Sequence, residues 1–434
     1  MENRLNFCNM TSDKTELYRQ CFVPDKATAE FIAMHRNDDV RTLAFKRADG
    51  VDMPLALEQI AGYQKARRKL PQWSGVEGML YPPSLSMEQC SSEQTALYKA
   101  SLLASRSGSS AICSDSFAGG SCHPAASSGS FADLTGGFGV DFSYLAARFA
   151  KATYIERNPK LCAIARHNFA LLGLTHAEVV CGDSVECLRN LAPVDVIYLD
   201  PARRDANGGR TFAIADCTPD AVALLPLLLE KAETVMIKLS PMLDWHKAVA
   251  DFRGHVAEVH IVAVDNECKE LLLILRRDTT ECPKVVCVNN GSVFSPTPYI
   301  YIIRCSAPSA DFSQLHGFLL VPNAAIMKAG CFAQVAEAFS VAQISDNSHL
   351  FVADAPVEDF PGSTYRIDTV TTMNKKELKA AIGGIKKANI AVRNFPLTVA
   401  ELRKRLKIND GGNIFIFATT LCDGSHVLIV CSPL

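Results

Sequence analysis

The sequence predicts an α/β fold with a doubly wound, mostly parallel sheet. A short apolar strand in FADLTGGFGVD, residues 131–141, turns through three glycines into the helix-compatible run FSYLAARFA. Three more apolar strands follow, and each places an acidic residue at its carboxyl end: Glu156, Asp183 and Asp200. Strands that alternate with helices are typical of β-α-β units. Open sheets of this kind bind ligands at the carboxyl ends of their strands.

The glycine turn is the first element of the predicted site. A strand, a glycine turn and a helix N-terminus form a place where backbone N–H groups can approach a ligand. Gly136, Gly137 and Gly139 suit that place because a Cβ would block both the tight turn and the approach. The dinucleotide fingerprint G-x-G-x-x-G needs a third glycine, and Phe142 stands there instead. The loop alone therefore does not identify a cofactor.

The acidic strand ends favour S-adenosylmethionine over a nicotinamide cofactor. Glu156 would bind the ribose hydroxyls, Asp183 the adenine amino group, and Asp200 would lie at the reacting methyl. The predicted cofactor-binding residues are Asp133, Thr135, Gly136, Gly137, Phe138, Gly139, Glu156, Arg157, Asp183, Ser184 and Asp200.

Five segments carry a family resemblance. DLTGGFGVD, YIERNP, ARHNFALLG, CGDS and YLDPARRD resemble the class I S-adenosylmethionine-dependent methyltransferases, specifically the subgroup with a THUMP-like domain at the C-terminus. The resemblance continues in VDMPLALEQIAGYQKARRKLPQW, LSMEQCSSEQTALYKA and KANIAVRNFPLTVAELRKRL, so it covers most of the chain. It implies a Rossmann-like class I sheet, S-adenosylmethionine as cofactor, and methylation of RNA.

The turn after the fourth strand, Asp200-Pro201-Ala202-Arg203, is the predicted catalytic element. Methyl transfer is an in-line displacement, so an enzyme mainly positions a nucleophile opposite the methyl group. Amino-methyltransferases do this with a D/N-P-P-aromatic turn. Asp200 and the Pro201 carbonyl can accept hydrogen bonds from an amine, and Arg203 can stack on a base or bind a phosphate. We therefore predict Asp200, Pro201 and Arg203 as catalytic residues.

Other mechanisms and contacts follow from neighbouring residues. A covalent pyrimidine mechanism is disfavoured because Ser240 stands where a cysteine nucleophile would be needed. Lys238 is either a substrate contact or a lysine that extends from a strand end toward solvent. The predicted substrate-binding residues are Arg204, Lys238, Lys386, Lys387 and Arg393.

Composition narrows the class of protein. The chain has 434 residues and a net charge of −2, so RNA contacts must come from local basic patches, at residues 65–69 and 375–407. Such patches are also typical of solvated helix faces. We expect no membrane span, because no apolar run approaches about 20 residues. The 16 cysteines contain no C-x-x-C pair, so we expect reduced thiols, no metal site and a cytoplasmic location.

The predicted organisation has five parts. Residues 1–104 form a helical domain, 105–130 a flexible Ser/Gly-rich insertion, and 131–278 the methyltransferase domain. A ferredoxin-like segment at 279–323 and a THUMP-like domain at 324–434 complete the chain as α+β modules. Within the helical domain, Ser86 and Gln89 have the spacing of a capping box at the start of one long helix. Gln89, Ser92 and Glu93 on that helix are candidates for the methionine end of the cofactor.

The preferred hypothesis is a methyltransferase that uses S-adenosylmethionine to modify an exocyclic or ring nitrogen of a base in tRNA or rRNA. One alternative is methylation of a small molecule or a protein. The other is a catalytically silent RNA-binding protein, which the altered turn at Ala202 and Arg203 motivates. The sequence does not indicate an oligomeric state.

Overall fold

The structure, a computed structural model, describes residues 23–104, 127–203, 214–278, 280, 282–296 and 312–434. The chain divides into two compact units. The first comprises Met1–Ala257 and Leu272–Thr279, and the second comprises Glu258–Leu271 and Thr280–Leu434.

The N-terminal part of the first unit is helical, as the periodicity predicts. Asp25, Asp39 and Asp52 each precede a helix and accept a hydrogen bond from a backbone N–H of its first turn, which fixes where these helices begin. The described helices here are α1 (Lys26–His35), α2 (Val40–Leu43), α3 (Met53–Lys69), α4 (Pro71–Ser74), α5 (Ser84–Gln89) and α6 (Glu93–Ala104).

The prediction of one long helix that begins with a capping box at Ser86 is wrong. α5 begins after Pro83 without a side-chain cap and ends at Gln89. The Ser92 hydroxyl accepts a hydrogen bond from the Thr95 backbone N–H at 3.3 Å, and α6 therefore begins immediately after Ser92. The break leaves Ser91 in a non-helical segment between the two helices.

A parallel sheet forms the centre of the first unit. Its order is β9-β7-β4-β1-β2-β3, and the pairs β1–β2, β1–β4, β2–β3 and β4–β7 are parallel. The chain direction across the sheet reverses between β1 and β4, which creates a crevice at their carboxyl ends. The strands are β1 (Ser127–Asp133), β2 (Phe149–Glu156), β3 (Ala177–Cys181), β4 (Val194–Leu199), β7 (Ala232–Leu239) and β9 (Glu267–Arg276).

The helices of this sheet bury one large aromatic cluster. Phe142 packs against Tyr154 and Phe169, with ring centroids 5.4 Å and 4.8 Å apart. Trp73 and Phe138 join the N-terminal helices to the glycine turn, with centroids 5.0 Å apart. The helices are α7 (Val140–Ala146), α8 (Pro159–Leu171), α9 (Ser184–Asn190), α10 (Leu225–Lys231) and α11 (Trp245–Asp251).

The first unit differs from the prediction in one boundary and contains one strand pair that was not predicted. β1 begins at Ser127, inside the predicted insertion, because Ser130 accepts a hydrogen bond from the Asp195 backbone N–H at 3.2 Å and donates one to its carboxylate at 2.8 Å. The other insertion residues, 105–126, lie outside the described residues. After β4, the short strands β5 (Ala202–Arg203) and β6 (Cys217–Thr218) pair antiparallel.

The second unit contains the parallel pair β8–β10, with β11 antiparallel to β10. It also contains a sheet of order β13-β14-β12-β15-β18-β17-β16, in which β16–β17 is the only parallel pair among the described strands. The strands are β8 (Val256–Val264), β10 (Lys284–Asn289), β11 (Ser292–Phe294), β12 (Phe318–Pro322), β13 (Ala342–Gln343), β14 (Phe351–Ala353), β15 (Gly362–Thr372), β16 (Asn389–Arg393), β17 (Phe415–Thr420) and β18 (His426–Pro433).

The helices of the second unit end where the sequence provides breakers. The helical segment NAAIMKAGCFAQVAEAF, residues 323–339, is interrupted at Gly330, which has φ +72°. Thr398 and Glu401 form a complete capping box at the start of α15. The helices are α12 (Ala324–Ala329), α13 (Phe332–Phe339), α14 (Lys375–Ile382) and α15 (Val399–Leu406). No helix within the described residues is long and apolar enough to cross a membrane.

Candidate active site

The glycine turn lies where the sequence predicts it, at the carboxyl end of β1. A Cβ on Gly136 would lie 2.2 Å from the Tyr154 ring, so only glycine fits there. Gly139 has φ +86°, and its Cβ would lie 2.8 Å from Phe169. A Cβ on Gly137 would meet nothing closer than 3.7 Å, because this residue borders an open cradle.

Glu156, at the end of β2, holds the turn in shape. Its Oε2 accepts a hydrogen bond from the Gly137 N–H at 2.9 Å, and its Oε1 accepts one from the Asn158 N–H at 2.7 Å. The Tyr154 hydroxyl donates to the Gly137 carbonyl at 2.5 Å. A carboxylate oxygen has two lone pairs, so both oxygens of Glu156 can still accept a hydroxyl.

Asp133 and Thr135 connect the turn to the end of β4. The Asp133 carboxylate accepts the Thr135 N–H at 2.8 Å, and the Thr135 hydroxyl accepts the Asp200 N–H at 2.6 Å. Burial raises the pKa of Asp133 well above its ordinary value, and the nearby carboxylates of Asp141 and Asp200 raise it further. Two neighbouring strand ends are thereby fixed against each other.

Asp183 caps α9. Its Oδ1 accepts hydrogen bonds from the backbone N–H groups of Val185 at 2.9 Å and Glu186 at 3.1 Å. Ser184 is the first residue of the helix. Asp183 caps this helix whether or not it also contacts a cofactor. Removal of its side chain should therefore cost about 1 kcal/mol of helix stability.

A cavity of about 590 Å³ lies against these strand ends. Its volume is within the range of ligand pockets, about 300–1,000 Å³. Phe138 borders it while only 5% exposed, so most of that ring packs in the core. The predicted cofactor-binding residues all line it: Asp133, Thr135, Gly136, Gly137, Phe138, Gly139, Glu156, Arg157, Asp183, Ser184 and Asp200.

The turn after β4 places Asp200 at the other end of the cavity from Asp183. Asp200 is partly exposed, with 38% of its side chain accessible, whereas Pro201 is buried. The Arg203 backbone pairs with Cys217 in β5–β6. The Arg203 side chain and all of Arg204 lie outside the described part of the chain, so their predicted roles stay predictions.

A buried charged cluster, which the sequence analysis missed, adjoins Asp200. It consists of Ser91, Lys99, Asp141, Tyr198 and Lys238. Asp141 Oδ2 accepts hydrogen bonds from the Ser91 and Tyr198 hydroxyls, both at 2.7 Å. Lys99 Nζ lies 3.2 Å from Asp141 Oδ1. Burial alone would raise the pKa of Asp141, but Lys99 and Lys238 lower it below the ordinary value.

Lys238, predicted as a substrate contact, bridges this cluster and the turn that follows β4. Its Nζ lies 2.6 Å from Asp200 Oδ2, 3.2 Å from Ser91 Oγ and 3.8 Å from Asp141 Oδ2. Only 13% of the side chain is exposed. The alternative prediction, a lysine that extends from the strand end toward solvent, is therefore wrong.

One signal in the sequence could have revealed the cluster. Lys99 occupies the apolar stripe of α6 that Ala96, Ala100 and Leu103 define, and all four are buried. A lysine in a buried stripe needs a counter-charge. Of the candidates on this helix for the methionine end of the cofactor, Glu93 accepts the Gln72 N–H at 2.8 Å.

The basic residues of the second unit do not meet at one point. Lys386 and Lys387 precede β16, and Arg393 is its last residue. At about 3.3 Å per residue, Lys387 and Arg393 lie roughly 20 Å apart along the strand. Exposed lysines and arginines near Lys386 define a basic edge: Lys386, Lys387, Lys404, Arg405 and Lys407. Backbone hydrogen bonds of Asn409 with Lys386 and Ala388, both at 3.0 Å, bring its two segments together.

The patch at residues 65–69 has internal partners. Lys65 pairs with Glu88 at 2.7 Å, and Lys69 donates to the Met87 and Glu88 carbonyls at 3.0 Å and 2.8 Å. Arg67 donates to Asn37 at 2.9 Å. These contacts fix α5 against α3. Among the described residues, no group of three or more potential ligands could hold a metal ion.

Comparisons with known proteins agree with this architecture. A THUMP domain-like family model matches residues 362–433, and a ferredoxin-like domain model matches residues 318–361. The first range comprises β15 to β18 with α14 and α15, and the second comprises β12 to β14 with α12 and α13. The domain limits drawn from composition, including 279–323 and 324–434, stay predictions.

The sheet order, glycine turn and acidic strand ends define a class I S-adenosylmethionine-dependent methyltransferase with a C-terminal THUMP-like domain. A solved structure described as a "putative methyltransferase" from Porphyromonas gingivalis W83 is 30% identical, with 94% of this chain and 97% of that chain covered and a TM-score of 0.77. The chain belongs to the same family as that protein.

Curated relatives match a shorter stretch. An uncharacterized S-adenosylmethionine-dependent methyltransferase of Mycobacterium tuberculosis, Rv3037c, is 30% identical over 136 residues, which is 29% of this chain and 36% of that protein. A protein-L-isoaspartate O-methyltransferase of Koribacter versatilis is 36% identical over 97 residues, 20% of this chain and 43% of that protein. The chain thus spans less than half the length of the curated relatives that it matches.

Proposed function

We propose that this protein transfers a methyl group from S-adenosylmethionine to an exocyclic or ring nitrogen of a base in tRNA or rRNA. The single observation that carries the proposal is Asp200, a carboxylate presented at one end of a cavity whose other strand ends suit a nucleoside. Reduced thiols, which the absence of a C-x-x-C pair favours, would fit a cytoplasmic location.

The residues around the cavity fit S-adenosylmethionine. Gly137 provides an open cradle beside its backbone N–H, and Glu156 can accept ribose hydroxyls while it holds the turn. Asp183 retains an oxygen, Oδ2, for an adenine amino group beyond the one that caps α9. The bound cofactor supplies an electrophilic methyl group on a sulfonium, so transfer to a nitrogen breaks a C–S bond and forms a C–N bond, and a nitrogen that carries a hydrogen also releases a proton.

Asp200 and Pro201 would position the acceptor. The Asp200 carboxylate can accept a hydrogen bond from the acceptor nitrogen and so direct its lone pair. The Pro201 carbonyl can accept a second hydrogen bond, and Arg203 is proposed to stack on the base or to bind a phosphate. Orientation of this kind supplies much of the rate in a displacement reaction.

The basic edge supports RNA as the partner. Its lysines and arginines are exposed and belong to the region that a THUMP domain-like model matches. Phosphate contacts from such residues supply affinity without reading sequence. Lys386, Lys387 and Arg393 are proposed contacts, and their separation of about 20 Å implies phosphates several nucleotides apart.

The decisive experiment is transfer of labelled methyl from S-adenosylmethionine to total RNA from a strain that lacks this gene, followed by nucleoside mass spectrometry. We expect one N-methylated nucleoside. Asp200→Ala should lower the transfer rate by about 100-fold or more and leave cofactor affinity within about threefold.

Asp251→Ala is the matched control, since Asp251 forms a surface ion pair with Lys247 at 3.1 Å. It should transfer at the wild-type rate. Cofactor binding without label in RNA would overturn the RNA assignment and favour a protein substrate or a silent binding role. Equal loss of binding and transfer in Asp200→Ala would make Asp200 structural.

A further inference from the structure

The position of Lys238 relative to Asp200 goes beyond the proposed function. Lys238 lies near the end of β7, and its Nζ contacts Asp200 Oδ2 at 2.6 Å. Asp200 lines the cavity, whereas Lys238 does not. Lys238 therefore lies beneath the cavity lining, where it contacts Asp200 next to Ser91 and Asp141, which both line the cavity.

Lys238 also contacts two members of the buried charged cluster, Ser91 and Asp141. Ser91 Oγ lies 3.2 Å from its Nζ, and Asp141 Oδ2 lies 3.8 Å away. Ser91 and Asp141 are fixed in turn, because their side chains share a 2.7 Å hydrogen bond and Lys99 Nζ lies 3.2 Å from each. A side chain held by several buried partners retains one position better than a surface lysine does.

We propose that Lys238 is a positioning residue, which fixes Asp200 Oδ2 so that Oδ1 faces the acceptor as a hydrogen-bond acceptor. This inference rests on the proposed methyl transfer. It also narrows the substrate, since a carboxylate oxygen that only accepts needs a donor opposite it. The methylated nitrogen therefore carries a hydrogen before reaction, and the proton that it loses passes to Asp200 and then to water.

The nitrogens of the nucleobases differ in whether they carry a hydrogen, so the proposal allows some as acceptors and excludes others. Exocyclic amines of adenine, guanine and cytosine carry hydrogens, as do guanine N1 and uracil N3. Guanine N7, adenine N1 and cytosine N3 do not. A ring nitrogen without hydrogen would face two acceptors, Asp200 Oδ1 and the Pro201 carbonyl, with no proton to share.

The test compares Lys238→Met, Lys238→Arg and the control Lys247→Met, which alters an exposed lysine on α11. Lys238→Met should lower kcat on total RNA by about 100-fold, as expected for a displaced reacting group. Its KM for RNA and its dissociation constant for S-adenosylmethionine should change by less than about threefold. Lys238→Arg should recover a large part of kcat because it restores a donor to Oδ2.

A second readout does not depend on activity. Crystal structures of the wild type and of Lys238→Met with S-adenosylhomocysteine should show Asp200 in one rotamer in the first and displaced in the second. An unchanged Asp200 in Lys238→Met would overturn the positioning role. This comparison decides the role even if the wild type leaves RNA unlabelled, the outcome that would instead reject the proposed substrate.

Three other results would overturn the inference. A raised KM for RNA at constant kcat would make Lys238 a substrate contact. Wild-type kcat in both Lys238→Met and Lys238→Arg would show that Asp200 needs no support. A methylated guanine N7, adenine N1 or cytosine N3 would show that the acceptor carries no hydrogen. If Lys238→Met does not fold, Lys238→Arg still decides, because it retains the charge beside Asp141: a modestly reduced kcat with an unchanged KM for RNA would support the positioning role, and a raised KM at wild-type kcat would overturn it.

Discussion

The buried charged cluster of the first unit and the basic edge of the second use the same residue type under opposite conditions. The Lys99 side chain is 0% exposed and lies against a carboxylate, whereas Lys386 and Lys387 are exposed. Removal of one partner from a buried ion pair leaves an uncompensated charge in the core. An exposed lysine is hydrated in both the folded and the unfolded protein, so its removal changes stability little. The comparison teaches that stability should depend on the cluster, and RNA affinity on the edge.

The largest expected effect is that of Asp141→Asn on stability. The substitution leaves Lys99 and Lys238 without their shared counter-charge, so the free energy of unfolding should fall by about 3–5 kcal/mol. Urea denaturation measures it. Asp251→Asn removes the acid of the exposed pair with Lys247 and should cost less than about 1 kcal/mol. Equal losses of unfolding free energy in the two variants would show that the buried cluster stabilises the fold no more than the exposed pair does.

The next largest effect concerns Gly136. Gly136→Ala places a Cβ 2.2 Å from the Tyr154 ring, an overlap that should cost about 1–3 kcal/mol and weaken cofactor binding as the turn shifts. Gly384→Ala is the control, since a Cβ there meets nothing within 4 Å. Thermal unfolding and cofactor titration together test the prediction. A stable Gly136→Ala with unaltered affinity would mean that the ring moves aside freely.

The two buried aspartates should respond to pH with opposite signs. The pKa of Asp133 is raised in the folded protein, so ionisation of this group costs stability as pH rises through that value. The pKa of Asp141 is lowered, so its contribution is fully present above the ordinary value of 3.8 and is lost as pH falls further.

Unfolding free energies measured from about pH 5 to about pH 8 check these signs. The difference between wild type and Asp133→Asn should shift in favour of the variant as pH rises. The difference between wild type and Asp141→Asn should stay constant over the same interval. A constant difference for Asp133→Asn would place the folded-state pKa of Asp133 below about 5, because a higher pKa would still change the difference across this interval.

The smallest effect on stability belongs to the basic edge. Lys386→Gln with Lys387→Gln should leave the free energy of unfolding unchanged within about 0.5 kcal/mol. The double substitution should lower RNA affinity. On double-stranded RNA it should also reduce the slope of log affinity against log salt concentration by about 2 in magnitude. Lys247→Gln with Lys284→Gln is the matched control, with the same charge change elsewhere. An unchanged slope would separate this edge from RNA binding.

The catalytic sheet and its cavity could be predicted because their signals are local. Strand ends at Asp133, Glu156, Asp183 and Asp200 follow apolar runs, and parallel strands bring them to one edge. The match of a solved family member confirms the fold class and the resemblance. The roles of individual residues stay predictions, since geometry alone does not identify a ligand.

A buried lysine in the apolar stripe of α6 indicates that a counter-charge exists, but the other members of the charged cluster could not be predicted from local patterns, because they lie on three further elements and one connecting segment. Ser91 and Lys238 are 147 residues apart in sequence. The helix break that leaves Ser91 outside both helices was obscured by a capping-box spacing at Ser86, which lies inside α5 and not at its N-cap. Similarly, β16 separates Lys387 from Arg393, a distance that a list of basic residues conceals.

The long sequence separation within the cluster has a consequence for how the chain matures. On a ribosome, Lys99 can meet Asp141 soon after both emerge, but Asp200 waits until Lys238 has been synthesised. Until then the growing chain holds Asp200 without its partner. Completion of the Asp200 end of the cavity is thus set by the synthesis of β7, whose Lys238 follows Asp200 by 38 residues, rather than by the glycine turn.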